Sequence, residues 1–204
     1  MNTSLPGLLP QIITMLPPGK FQYASPAAVM AVCLQESEGD PTFSLLEKQC
    51  EDNLAVAAKA TTFDMSLLIG ALKIQSGTYQ GKLAKFRFEP GYWHWAAGQT
   101  TNSTSLRFLI SCSLGVGQQM MRWVLPTDEL EWGRFIERFK SDVGLQLTYV
   151  VGSLDKLLGE TEGDLFRAYK GYNSGNINSK DPQVILRALH VVELRDKIQQ
   201  QLPG

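Results

Sequence analysis

The chain is expected to fold as a mainly α domain carrying one small inserted β-hairpin, and three observations predict it. Apolar residues recur at helical spacing in several separate segments. Ser25-Pro26 and Asp181-Pro182 stand where helices should begin, and residues 85–89 alternate aromatic with charged side chains, as a strand does. A composition 44% hydrophobic and 19% charged over 204 residues supplies material for a sizeable core. No internal repeat or low-complexity tract divides the chain, so residues 1–24 are assigned as an N-terminal extension and 25–204 as the main domain.

The first helix starts after Tyr23-Ala24. Ser25 is a good N-cap, and Pro26 takes the first helical position, where its missing N–H costs nothing. The helix should stop near Gly39. Within it Val29, Cys33 and Glu36 fall at i, i+4 and i+7, which sets the Glu36 carboxylate on the stripe that faces the core. Residues 50–75 carry further helix, with Met65, Leu68, Ile69 and Leu72 in register behind Thr61-Thr62. Lys85-Phe86-Arg87-Phe88-Glu89 reads as a strand and Pro90-Gly91 as the turn after it. Tyr92-Trp93-His94-Trp95 then holds two of the four Trp, either as core or as an aromatic wall.

Helical pattern resumes at Ser105–Ile110 and breaks at Gly115 and Gly117. Thr127 caps a segment in which Trp132, Phe135, Ile136 and Phe139 make a stripe, and Leu147, Val151, Leu154 and Leu158 make the next. Asp164 to Lys170 forms a short helix ended by Gly171. The last helix begins at Asp181-Pro182 and runs toward Gln200.

Charge and cysteine usage narrow the function. Nineteen Lys+Arg against 20 Asp+Glu leave a formal charge of −1, without the basic excess that drives binding to nucleic acid or an anionic membrane. Cys33, Cys50 and Cys112 form no C-x-x-C pair, and an odd number closes no complete disulfide framework, so they read as reduced core thiols. With His94 and His190 as the two histidines and no spaced ligand set, neither a metal nor another cofactor is expected. The N-terminus has no Lys or Arg before Lys20, and Pro6, Pro10, Pro17 and Pro18 interrupt it, so no signal peptide is expected. No run reaches the roughly 18 apolar residues of a membrane span.

Three features carry candidate chemistry. A carboxyl among apolar groups, as Glu36 is placed, holds its proton more tightly and suits a general acid, although it can also reach out to solvent from a helix end. The Gly115-Val116-Gly117-Gln118 loop either turns between helices or lets backbone approach a ligand beside the Gln118 amide. Tyr169-Lys170-Gly171-Tyr172-Asn173-Ser174-Gly175 reads as a helix end and turn, or as part of a site.

Taken in order, Gln35-Glu36-Ser37 at a helix end, Ser113-Leu114-Gly115-Val116-Gly117-Gln118-Gln119-Met120, and Ala168 through Gly175 resemble the lysozyme-like superfamily of peptidoglycan glycosidases. The nearest likeness is to soluble lytic transglycosylases, goose-type lysozymes and the N-acetylmuramidase domains of phage endolysins, over roughly residues 25–195. The stretch between Glu36 and Gly115 is long for common transglycosylases. Arg87-Phe88-Glu89-Pro90-Gly91-Tyr92-Trp93 looks like the insert of the phage-type domains, which points to a phage or prophage source.

The resemblance implies an α+β lysozyme-like fold with 25–204 as a catalytic domain, acting on peptidoglycan glycan strands. It makes Glu36 the catalytic acid and Ser37 a holder of substrate or carboxyl. Gln118 and Met120 would line the saccharide cleft, Tyr172 would lie near Glu36, and Asn173 would bond an N-acetyl group, with Trp93 against a sugar face. A hydrolase that inverts needs a base about 6.5–9.5 Å from the acid, and Glu89 is the first candidate, with simple pairing to Arg87 or Lys85 as its other reading. Without a base, the substrate's acetamido group assists and an anhydro product forms. An enzyme made in the cytoplasm would reach the wall by virion delivery, among other virion proteins, or by holin-dependent release. Two alternatives are a non-enzymatic virion structural or adaptor protein with this fold, and a cysteine hydrolase using Cys33 or Cys112 with His94 or His190.

Overall fold

The computed structural model describes residues 8–16, 21–37, 42–43, 83–84, 86–88, 92, 95–96, 107 and 110–202. In chain order its elements are α1 (Leu9–Met15), α2 (Pro26–Ser37), β1 (Thr42–Phe43), β2 (Leu83–Ala84), β3 (Phe86–Phe88), β4 (Cys112–Leu114), β5 (Gln119–Met120), α3 (Met121–Val124), α4 (Trp132–Ser141), α5 (Val143–Glu160), α6 (Leu165–Ser174) and α7 (Pro182–Gln199), with a 3-10 turn at Glu129–Glu131. The described residues are mostly helical, as the sequence predicts, with short antiparallel strands. They belong to two compact units, residues 1–40 with 147–204, and residues 41–146. The helix expected within 50–75 lies outside the described residues.

The first unit is built around α2. Ser25 Oγ accepts from Ala28 N at 3.2 Å and Pro26 opens the helix, so the sequence signal for its start is realised. Seven consecutive residues, Ala27 to Cys33, are buried, because the run carries no charge and can be covered on every side. Helix α7 lies along α2 and α6 along α7, while α1 packs on α2 and buries Leu9 and Ile12. The backbone N–H groups of Tyr23 and Ala24 both donate to Asp155 Oδ1 of α5 at 2.8 Å, which fixes how the chain enters α2. Leu147, Val151, Leu154 and Leu158 are buried along one face of α5, as their spacing predicts. Asp181 Oδ1 accepts from Gln183 N at 2.8 Å and starts α7 where Asp-Pro places it.

Helix α6 departs from expectation at its end. Asp164 caps its start, accepting from Arg167 N at 3.1 Å, but the helix runs through Gly171 and stops at Gly175 in the left-handed conformation, φ 72°. Gly171 is there for space. A Cβ at this position would lie 2.8 Å from Ile177 Cγ2 and 2.9 Å from Leu157 Cδ2. Gly171→Ala is therefore expected to lose ~1–3 kcal/mol through overpacking, despite the better helix propensity of alanine. Urea unfolding checks this, and a variant as stable as the parent would contradict it.

In the second unit β1 pairs antiparallel with β2, and β3, β4 and β5 form a three-stranded antiparallel sheet in that order. The strand expected near 85–89 is present as β3, yet its partner is distant, with Arg87 opposite Ser113. The tight hairpin joins β4 to β5 through Gly115, φ 80°, and Gln118, φ 46°, where the sequence suggests a break between helices. On α4 Trp132, Ile136 and Phe139 are buried and Phe135 is half-buried, its ring 5.8 Å from that of Phe139. The turn before α4 is capped by Asp128, whose Oδ1 accepts from Leu130 N at 2.9 Å, and not by Thr127. Asp128 wins because its carboxylate reaches the amide two residues on, as Asx turns do.

Candidate active site

Glu36 occupies the last turn of α2 and is half-buried at the end of the apolar stripe of Val29 and Cys33, both fully buried. Two side chains of α6 reach it. The Tyr169 hydroxyl donates to Glu36 Oε1 in a short hydrogen bond, and Asn173 Nδ2 donates to the same oxygen at 3.4 Å. Tyr169 and Asn173 are four residues apart, so they share one face of the helix, and this face exists because α6 continues past Gly171. The ring of Tyr172 stacks on that of Tyr169, centroids 6.2 Å apart and planes 15° apart.

Burial pushes the Tyr169 phenol well above the usual tyrosine range, and the charge and hydrogen bond of Glu36 push it further, with Arg187 and Asn173 acting in the opposite sense. Tyr169 is thus a neutral hydroxyl donor near neutral pH. Its fixed O–H holds the Glu36 carboxyl in one orientation. The Cys33 thiol is pushed up to about 12, first by burial and then by the Glu36 charge. A thiol so buried does not supply a thiolate near neutral pH, which argues against Cys33 as a nucleophile, and Cys112 is fully buried on β4.

These raised groups set an alkaline limit on stability. A thiol whose folded value lies above its unfolded value of 9.0 contributes fully below pH 9 and loses that contribution as pH rises through about 12. Tyr169 acts in the same direction above its own usual range. Urea midpoints measured between about pH 8 and 11 should fall less steeply for Cys33→Ala than for the parent. Parallel slopes would contradict the assignment.

The other residues singled out in the sequence are placed as follows. Ser37 is buried, and its hydroxyl donates to the Cys33 carbonyl at 2.9 Å, tying it to its own helix. Gln118 and Met120 belong to the second unit. The Gln118 amide Nε2 donates to Gly115 O at 2.9 Å, and its Oε1 accepts from Ser113 Oγ at 3.2 Å, so the side chain braces its own turn. Met120 is half-buried on β5, opposite Ser113. Glu89, Trp93 and His94 lie outside the described residues. His190 is exposed on α7, with Nδ1 2.6 Å from Gln35 Oε1. Comparisons with protein-family models, with curated proteins and with solved structures find no match. Among the described residues no group of three or more His, Cys, Asp or Glu is arranged to hold a metal ion, and no helix is long and apolar enough to cross a membrane.

Two structural residues were missed by sequence reasoning. Tyr169 lies within the Ala168–Gly175 motif, and its signal is the spacing of four to Asn173. Gln146, fully buried, accepts from Val116 N at 2.9 Å and donates through Nε2 to Phe139 O at 2.8 Å, which anchors the glycine turn to α4. Its sole trace is a polar residue inside an apolar helical run.

Proposed function

We propose that the chain is a lysozyme-like peptidoglycan glycosidase that cleaves the β-1,4 bond between N-acetylmuramic acid and N-acetylglucosamine, with Glu36 as general acid. The observation that carries this reading is the Glu36 carboxyl, held at the end of a buried helix by the Tyr169 hydroxyl and the Asn173 amide. Glycoside cleavage needs a proton delivered to the leaving oxygen from an acid in a fixed orientation. The Tyr169 hydroxyl and the Asn173 amide both donate to Oε1 and orient the carboxyl, which in its neutral form carries the proton to be transferred. Transfer of that proton to the glycosidic oxygen breaks the C1–O bond, so that one sugar departs as an alcohol while positive charge develops on C1 and the ring oxygen of the sugar left behind. A water activated by a second carboxylate then gives a free reducing end. Attack by the C6 hydroxyl of the same sugar, assisted by its acetamido group and with its proton passing to the Glu36 carboxylate, instead gives a 1,6-anhydro end. Asn173 serves here to hold Glu36, and Tyr172 supports Tyr169 by stacking. The long stretch between Glu36 and Gly115 favours a phage or prophage enzyme.

Purified sacculi incubated with the chain, without added metal or nucleotide, test the proposal. Their turbidity is expected to fall. Sacculi that stay intact across the pH range in which the protein is folded would favour a virion structural or adaptor protein instead.

A further inference from the structure

In the second unit the exposed Arg122 lies among three aromatic rings, exposed Trp123 and half-buried Trp95 and Tyr92. The guanidinium carbon of Arg122 lies 4.8 Å from the ring centre of Trp123, 5.4 Å from that of Trp95 and 5.6 Å from that of Tyr92. Arg122 is exposed and Trp123 is 68% exposed. Trp132 in the same unit behaves differently, being 6% exposed with its indole N–H donating to Pro126 O at 2.8 Å. Trp132 is a core residue, whereas Trp123 leaves an indole face in water.

A guanidinium among aromatic rings keeps its N–H donors in a plane that the rings fix, and this is the fork that a carboxylate accepts in bidentate fashion. Trp, Tyr and Arg together are also the side chains that carry most of the energy in binding surfaces. Sugars with equatorial substituents present flat C–H faces that match an indole. The geometry points to a platform for a carboxylate-bearing β-1,4-glycan, in which the exposed Trp123 takes a sugar face and Arg122, braced by Trp95 and Tyr92, pairs with a carboxylate. The inference rests on the glycosidase reading, since peptidoglycan is a glycan of this kind, with lactyl and stem-peptide carboxylates. A nucleic acid also offers rings and anions, but its binding draws on a basic excess, whereas the chain has a formal charge of −1.

Cosedimentation with purified sacculi tests it, using the Glu36→Gln chain so that bound glycan stays uncut. Trp123→Ala in that chain should weaken binding about tenfold, both to sacculi and to chitin, which has the sugar faces without the carboxylates. Arg122→Ala should weaken binding to sacculi by a similar factor and leave chitin binding unchanged. Arg122→Lys, which keeps the charge but loses the fork, should lose several-fold on sacculi. Parental affinity in both alanine variants would overturn the platform. Tighter Trp123-dependent binding to single-stranded DNA or to anionic lipid vesicles than to sacculi would overturn its ligand. Because this binding is read in a chain that does not cut, failure of the platform is distinguished from absence of cleavage by the wild-type chain.

Discussion

Glu36→Gln is expected to lower the rate of peptidoglycan cleavage by about a thousandfold or more, within the ~10²–10⁴ that a positioned general acid contributes. The amide is nearly isosteric, and its carbonyl oxygen can still accept from Tyr169 and Asn173, so the contacts that orient the side chain survive. What is lost is a transferable proton. The effect should therefore fall on kcat, with glycan binding nearly unchanged and a melting temperature equal to or above that of the parent, because functional groups commonly sit at some cost to stability. Turbidity clearance and a thermal melt of the same preparation check both halves. A variant retaining near-parental cleavage would remove Glu36 from the chemistry.

Gln146→Leu is expected to cost ~1–3 kcal/mol or more, because the buried Val116 N–H loses its partner. Val116 N–H and the Phe139 carbonyl both bond to this one fully buried amide, and a leucine side chain has no polar atom to replace it. Whole-protein stabilities of ~5–15 kcal/mol make a loss of that size visible as early unfolding in urea. Gly115 depends on the same contact, since a Cβ there would meet Gln146 Oε1 at 2.6 Å, in a backbone conformation of φ 80° that already favours glycine. A loss under ~1 kcal/mol in Gln146→Leu would show that the turn is held elsewhere.

Local signals in the sequence proved readable where a few adjacent residues decide the structure. Ser25-Pro26, Asp164 and Asp181-Pro182 cap their own helices within three residues, so no distant contact has to be known. The stripes of α4 and α5 are likewise set by spacing alone. Glu36 stood out for the same reason, as a charge at the end of an apolar stripe. The extent of α6 did not, because Gly171 reads locally as a helix stop, and the contacts with Leu157 and Ile177 that make glycine fit there come from elsewhere in the chain. With the helix ended early, Tyr169 and Asn173 did not share a face on paper, and the principal partner of Glu36 went unassigned. The β4–β5 hairpin was missed because Cys112–Leu114 is too short an apolar run to tell strand from helix, and its pairing with β3 joins segments far apart in sequence.

The most direct test of the central claim is the mass of the fragments released from purified sacculi by the wild-type chain. Cleavage by Glu36 predicts disaccharide-peptide muropeptides that are absent from the Glu36→Gln digest, ending in a free reducing sugar if water attacks and lighter by one water if the anhydro ring forms. Fragments released by cuts in the stem peptides with the glycan strands intact, or the same muropeptides from both chains, would contradict it.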